Sequence, residues 1–318
     1  ARTAAAVGVA TASEHGSVAA AADQQILYRL DNPVGVPLPD YVGEREVVTA
    51  GQFTVTAVSR DPDGRWLVTL AQTPAAAPEY NDLPERDRID RLVDEPVVAE
   101  ITGAFHDAGR SIYLVGGAVR DALSGKEPND IDLTTDALPE ETKKLLDPIG
   151  AVYPLGEEHG TIVVNVAGED YEVTTHRIER YDPGSRQPIT EFTTDLTGDL
   201  ARRDFTFNAM AVDPTTREVI DPFGGRTDLA AGVVRAVGNP DDRFSEDPLR
   251  IIRAVRFAAV NGWSIDPATA DAARRQSDRL GIVSVERTTT ELDKVLKAPR
   301  PTAASDAYRL ATDLHAAD

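Results

Sequence analysis

The hydrophobic and polar positions of this chain change period along its length. Up to about residue 72 the apolar positions come in short runs: Ile26 to Leu30, then Phe53-Thr-Val-Thr-Ala-Val-Ser59 and Trp66-Leu-Val-Thr-Leu70 on either side of Asp63-Gly64. Alternation at period two around a tight-turn pair predicts a β-hairpin. The following TPAAAPEYNDLPERDRID, residues 73–90, collects proline, alanine and charge and reads as a linker. From Arg91 the spacing of Leu92, Val97, Val98, Ile101 and Phe105 predicts a helix that stops at Ala108-Gly109.

Ser111-Ile-Tyr-Leu-Val-Gly-Gly117 then reads as a buried strand running into a short helix, followed by strands at Asp130 to Thr134, Thr161 to Val166 and Tyr171 to Thr175. The stretch from Arg177 to Phe192 is polar, with glycine, proline and arginine, and suits a mobile loop. Beyond Pro240 strand signals cease, and Glu246 to Val260 carries Leu249, Ile252, Val255 and Ala259 on one helical stripe. The pattern implies an α+β protein: a small β-rich module at 1–75, a linker at 76–90, an α/β unit at 91–238 and a helical unit at 239–318.

Composition narrows the chemistry. With 318 residues the chain is long enough for two or three domains. It contains no cysteine, which excludes disulfides and thiolate-bound metal, so any metal sits on oxygen or imidazole. A net charge of −20 argues against a general nucleic-acid coat and requires any such partner to meet a local basic surface. No apolar run approaches a membrane span and the N-terminus lacks a signal-peptide layout, so a cytoplasmic location is expected.

Within Leu114-Val-Gly-Gly-Ala-Val-Arg-Asp121, Gly116 and Gly117 place bare backbone N–H groups where a strand opens into a helix, a cradle for phosphate with Arg120 in reach. Taken alone, a Gly-Gly pair describes only a turn. In Asn129-Asp130-Ile131-Asp132-Leu133 the two aspartates fall on one face of a strand while Ile131 and Leu133 point to the core. Two carboxylates sharing a face suit Mg²⁺, although an isolated pair more often describes solvated surface charge. The order of the two motifs, about 14 residues apart, is more specific than either. Glu172 on a neighbouring strand is the third carboxylate expected, with Asp170 as second choice.

Cradle and carboxylates in this order resemble the nucleotidyltransferases of the DNA polymerase β superfamily, where one strand's carboxylates hold two metal ions. The string Arg202-Arg-Asp-Phe-Thr-Phe-Asn-Ala-Met-Ala211 resembles the sugar- and phosphate-binding motif of class II CCA-adding enzymes and bacterial poly(A) polymerases. Glu246-Asp247-Pro-Leu-Arg250 resembles their EDxxR motif. Gly156 to Thr161, Arg180 to Arg186, Asp221-Pro-Phe-Gly-Gly225 and Val283 to Arg287 extend the likeness from about Ile101 to Lys297.

The resemblance implies a polymerase-β-like head followed by an all-α neck that adds CMP and AMP from CTP and ATP to the 3′ end of tRNA. Two Mg²⁺ ions on Asp130, Asp132 and Glu172 are implied as cofactors. Gly116, Gly117, Arg120, Arg203, Asp204 and Asn208 are the implied binders of sugar and phosphate, and Asp247 with Arg250 the readers of the base. A carboxylate acceptor beside a guanidinium donor fits cytosine and adenine, which offer an amino group beside a ring nitrogen, and opposes guanine and uracil. Poly(A) polymerases of the family share these motifs. Further helical body and tail regions of the family are expected to lie beyond this chain. Residues about 11–72, through Thr11-Ala-Ser13, Ile26 to Leu30, Pro33-Val-Gly35 and Glu44-Arg-Glu46, are similar to the C-terminal half of an Arg–Ser–ExE mono-ADP-ribosyltransferase.

Overall fold

The computed structural model describes residues 79–154, 160–180 and 189–316, together with the backbone of three strands before them. The chain divides into two compact units, residues 1–78 and 79–318. In the first, β1 (Ile26–Asp31), β2 (Phe53–Arg60) and β3 (Trp66–Gln72) form a sheet of order β1-β3-β2. β2 and β3 pair antiparallel, as the alternation around Asp63-Gly64 predicts, and β1 runs parallel to β3. The segments Thr11–Ser13, Pro33–Gly35 and Glu44–Glu46, on which the ADP-ribosyltransferase likeness rests, lie outside the described residues.

The second unit opens with α1 (Glu85–Val93) and α2 (Pro96–Asp107). Two expectations are corrected here. The linker does not run to residue 90, because its charged positions form the solvent face of α1 while Ile89, Leu92 and Val93 are buried. The helix expected from Arg91 to Ala108 is also two helices, parted at Glu95-Pro96, where proline cannot continue an earlier helix and instead takes the first turn of the next.

The strands β4 (Ile112–Val115), β5 (Asp132–Thr135), β6 (Ala151–Pro154), β7 (Thr161–Val166) and β8 (Glu169–Thr175) follow, with α3 (Gly117–Leu123) and α4 (Pro139–Leu146) between them. Next come β9 (Arg177–Arg180), β10 (Ile189–Phe192), α5 (Leu196–Ala201), β11 (Ala211–Val212), β12 (Val219–Ile220), α6 (Gly225–Ala231) and β13 (Val233–Val234). A seven-stranded mixed sheet has the order β12-β11-β4-β5-β8-β7-β6, with β5 parallel to β8. The segment expected as one loop, 177–192, carries the antiparallel β9–β10 pair at its ends. Its Tyr181–Pro188 portion and the Gly156–His159 portion of another family string lie outside the described residues.

The sheet's two faces differ. Leu114, Leu133 and Val173 share one core with Ile101 and Phe105 of α2 and Leu146 of α4. Val115 belongs to the other face, packed with Leu200, Ala209 and Ala211. Because in-register neighbours point the same way, Asp132 and Glu172, aligned with Val115 across β4, β5 and β8, emerge on this second face.

The helical part comprises α7 (Pro240–Glu246), α8 (Leu249–Asn261), α9 (Pro267–Gln276), α10 (Val285–Leu296) and α11 (Ala303–Asp313), with a two-residue strand β14 (Ser264–Ile265) beside β13. Its own core includes Phe244, Ile251, Val255, Val295 and Leu314. The helix expected from Glu246 begins at Leu249, and Glu246 itself ends α7. The chain turns at Asp247-Pro248 because proline lacks the N–H that would continue α7. An aromatic cluster of Phe205, Phe207 and Phe257 joins the helical core to the sheet.

Candidate nucleotidyl-transfer site

The site is assembled from four local structures whose sequences leave little choice of conformation. At the end of β4, Gly116 takes a φ of +71° and caps α3. A Cβ there would lie 3.0 Å from Arg203 Nη1 and 3.6 Å from Asp132 Oδ2, so this glycine both permits the turn and leaves room for the guanidinium and carboxylate beside it. Gly116, Asp132 and Arg203 therefore stand together.

Asp132 is the first residue of β5 and sits directly across from Glu172 of β8. The strand expected from Asp130 starts two residues later: Asp130 is exposed in a bend. It remains within electrostatic reach, since it helps to raise the pKa of both other carboxylates. For Asp132 burial is the main cause of the raised pKa, Arg203 opposes it and Asp130 adds to it. For Glu172 burial comes first, then the charges of Asp132, Asp130 and Asp170. Asp170, the second choice for a third carboxylate, is instead engaged by Asn165 at 2.6 Å and is held below the usual range by Asn165 and Tyr153.

Three carboxylates with one nearby guanidinium repel each other unless a cation lies among them. Among the described residues no group of three His, Asp or Glu side chains is by itself arranged to hold a metal ion. An oxygen-only donor set that leaves ligand positions for water and phosphate matches Mg²⁺ better than a metal needing a closed protein cage.

Arg203 is anchored from behind. Its Nη2 lies 3.5 Å from Asp199, a carboxylate buried in α5 that also receives Arg202 at 2.8 Å and the backbone N–H of Arg177 at 3.2 Å. Burial opposes ionisation of Asp199, but Arg202 and Arg203 outweigh it and hold its pKa down.

The other expected phosphate and sugar residues are placed differently. Arg120 donates through Nε and Nη2 to Asp121, both at 2.9 Å, and through Nη1 to Asn208 at 2.9 Å. Its guanidinium thus stands beside Gly117 but directs three of its five N–H donors to groups inside the protein. Asn208 donates to Asp204 at 3.0 Å, and Asp204 accepts from Arg253 at 2.8 and 2.6 Å. Both Asp204 and Asn208 are buried. This segment is fixed by Asp221-Pro-Phe-Gly-Gly225: Asp221 accepts from the N–H groups of Gly225 and Arg226, and a Cβ on Gly225 would lie 2.2 Å from the carbonyl of Thr206.

At the head–neck junction Asp247 and Arg250 do lie one turn apart. Arg250 is held by Glu246 at 2.7 Å, by the carbonyl of Arg243 at 3.0 Å and by the carbonyl of Arg202 at 2.7 Å. Asp247 receives Arg287 of α10 at 2.7 and 3.3 Å. A carboxylate has about four lone-pair positions, so acceptor capacity remains. Sequence reasoning missed Arg253, Glu291 and the grip of Arg287. Arg253 falls three residues after Arg250 and continues its helical face, which was the available signal.

A mixed sheet bearing paired carboxylates beside a glycine turn, followed by a helical unit, is the architecture of a polymerase-β-like head with an all-α neck. Residues 112–235 match the family described as "Poly A polymerase head domain", and residues 262–310 match "Probable RNA and SrmB- binding site of polymerase A". Over these two stretches the chain is similar to the poly A polymerase head and RNA-binding domains.

It is 43% identical over 192 residues to a CCA-adding enzyme of Bacillus subtilis, covering 60% of this chain and 47% of that protein. The crystal structure of the Bacillus stearothermophilus CCA-adding enzyme in complex with CTP is similar with a TM-score of 0.60 and 39% identity, over 68% of this chain and 52% of that one. The Thermotoga maritima CCA-adding enzyme complexed with tRNA is similar with a TM-score of 0.58 and 26% identity, over 72% and 54%. The chain thus spans about half the length of the curated relatives it matches. Nucleotidyltransferases of this superfamily use divalent metal ions, in keeping with the oxygen donors here.

Proposed function

We propose that the chain is the catalytic head and neck of a template-independent RNA nucleotidyltransferase that adds CMP and AMP to the 3′ end of tRNA, in the cytoplasm. The observation that carries the reading is the in-register pair Asp132 and Glu172, on one face of the sheet, with Asp130 in electrostatic reach and Gly116 and Arg203 alongside. The relatives' identity as CCA-adding enzymes, one bound to CTP and one to tRNA, supports the choice of substrates.

Asp130, Asp132 and Glu172 would hold two Mg²⁺ ions. When bound, such ions make the RNA 3′-hydroxyl a better nucleophile and neutralise charge on the departing pyrophosphate. The backbone N–H groups at Gly116 and Gly117 face the triphosphate. Arg203, fixed by Asp199, offers its positive charge to the phosphates at the carboxylates' edge. Asp247 accepts from the amino group of cytosine or adenine while Arg250, aimed by Glu246 and two carbonyls, donates to the ring nitrogen. Guanine and uracil would set acceptor against acceptor and donor against donor, a mismatch rejected more strongly than a difference in size. Asp204 and Asn208 act from below, by holding Arg120 against the glycine turn.

Incubation with tRNA lacking its terminal CCA and with each NTP singly tests the reading. CTP and ATP should be incorporated, and GTP and UTP rejected. Long tails from ATP alone would instead favour a poly(A) polymerase.

A further inference from the structure

Helix α10 carries a buried acid where an apolar residue would be expected. Its buried positions are Glu291 and Val295, one turn apart on the face packed against α8, while Leu292 and Leu296 are exposed. A buried carboxylate in a docking stripe stabilises packing less well than an apolar residue of similar size, so its presence calls for another reason.

The hydrogen bonds supply one. Glu291 Oε1 accepts from Arg253 Nη1 at 3.3 Å, and Oε2 accepts from Arg256 Nε. Arg253 holds Asp204 with its remaining donors, Asp204 holds Asn208, and Asn208 holds Arg120 beside Gly117. Acceptors and donors alternate along this path, so each member is oriented by the one before it. The ring of Phe257 lies under three of the guanidiniums, with Arg256 at 3.8 Å, Arg120 at 5.4 Å and Arg253 at 5.7 Å from its centroid. Arg253 and Arg256 would repel one another over this ring without the carboxylate that both contact.

We infer that Glu291 is a positioning residue through which the neck helix α10 fixes the glycine turn of the head. The consequence for nucleotide binding rests on the reading given above. The geometry of the relay does not depend on it. Its reach is from the second-last turn of α10 to the first turn of α3, across α8 and the segment Asp204 to Asn208.

The test uses the whole chain with Glu291→Gln, which keeps the shape and removes the charge, and Glu291→Asp, which keeps the charge and shortens the reach. Lys294→Ala serves as a control, because Lys294 contacts Glu291 at 3.4 Å from the exposed side and lies off the path. In hydrogen exchange of the unliganded protein, Glu291→Gln should speed exchange of the amides at Gly117–Arg120 and Phe205–Asn208 about 10-fold, with β7 and β8 unchanged. Glu291→Asp should show the same pattern more weakly, and Lys294→Ala none.

In the incorporation assay Glu291→Gln should raise KM for CTP about 10-fold with kcat and KM for tRNA little changed. Exchange that changes only in α8 and α10, or uniformly, overturns the relay, as does an unchanged KM for CTP in an active protein. If the wild type incorporates nothing, the functional reading falls while the exchange result still decides the relay. Should Glu291→Gln not fold, the Glu291→Asp pattern decides it in the same way.

Discussion

Two acidic clusters of this molecule have opposite electrostatic characters. At the sheet, Asp132 and Glu172 face one another with Asp130 close by, and burial and mutual repulsion raise the pKa of both strand residues. At the head–neck junction, Asp204 and Glu291 are just as deeply enclosed, yet guanidiniums from α8 overcome burial and hold both below the usual carboxylate range. The first cluster awaits positive charge from outside the protein, whereas the second supplies its own. The difference separates a site built to bind cation and phosphate from one built to keep elements in place.

The largest effect should come from breaking the paired cluster. Asp204→Ala removes the closer of the two carboxylates that hold Arg253, leaves it only the longer contact to Glu291, and should cost about 3 kcal/mol of stability by denaturant titration. The sign with pH follows from the lowered pKa. Asp204 stabilises the fold fully above its ordinary value of 3.8 and loses that contribution as pH falls through its lower folded value. An acid titration of wild type against Asp204→Asn should therefore converge only below that range.

Next in size is base reading. Arg250→Ala should lower kcat/KM for CTP and ATP by about 10²-fold and weaken the preference over GTP and UTP. The expected measurement is single-NTP incorporation at matched protein stability. Equal losses for all four nucleotides would make Arg250 a structural residue of the same kind as Arg253.

A smaller and opposite effect is expected at the sheet. In metal-free buffer at neutral pH, Asp132→Asn should raise Tm by about 2–5 °C, because the contribution of a carboxyl with a raised folded pKa is present below its ordinary value and lost as pH rises through the folded one. Mg²⁺ should then raise Tm of the wild type and leave Asp132→Asn unmoved. The smallest effect belongs to Arg287→Ala. Its pair with Asp247 is half exposed, so stability should change by no more than about 1 kcal/mol.

Much of the head was legible because its signals are local. The strand–Gly-Gly–helix order, the same-face carboxylates and the glycines of Asp221 to Gly225 each specify a backbone shape within a few residues. What misled was charge density: Glu85 to Asp90 read as linker although the same residues form the wet face of an amphipathic helix. What could not be read was the partner of each buried charge. Nothing near Asp204 in sequence announces Arg253, 49 positions away, or Glu291, 38 positions further on. Arg120 was expected to face phosphate because of its spacing from Gly117, yet three of its donors go to Asp121 and Asn208, the latter 88 positions distant.

The central claim is that the unneutralised carboxylate face is catalytic and serves CCA addition. Wild type and Asp132→Asn should be compared side by side on tRNA lacking its terminal CCA, with Mg²⁺, CTP and ATP. The wild type should add C, C and A and stop, and Asp132→Asn, although folded, should be slower by about 10³-fold or more. Equal turnover by the two proteins would contradict the account.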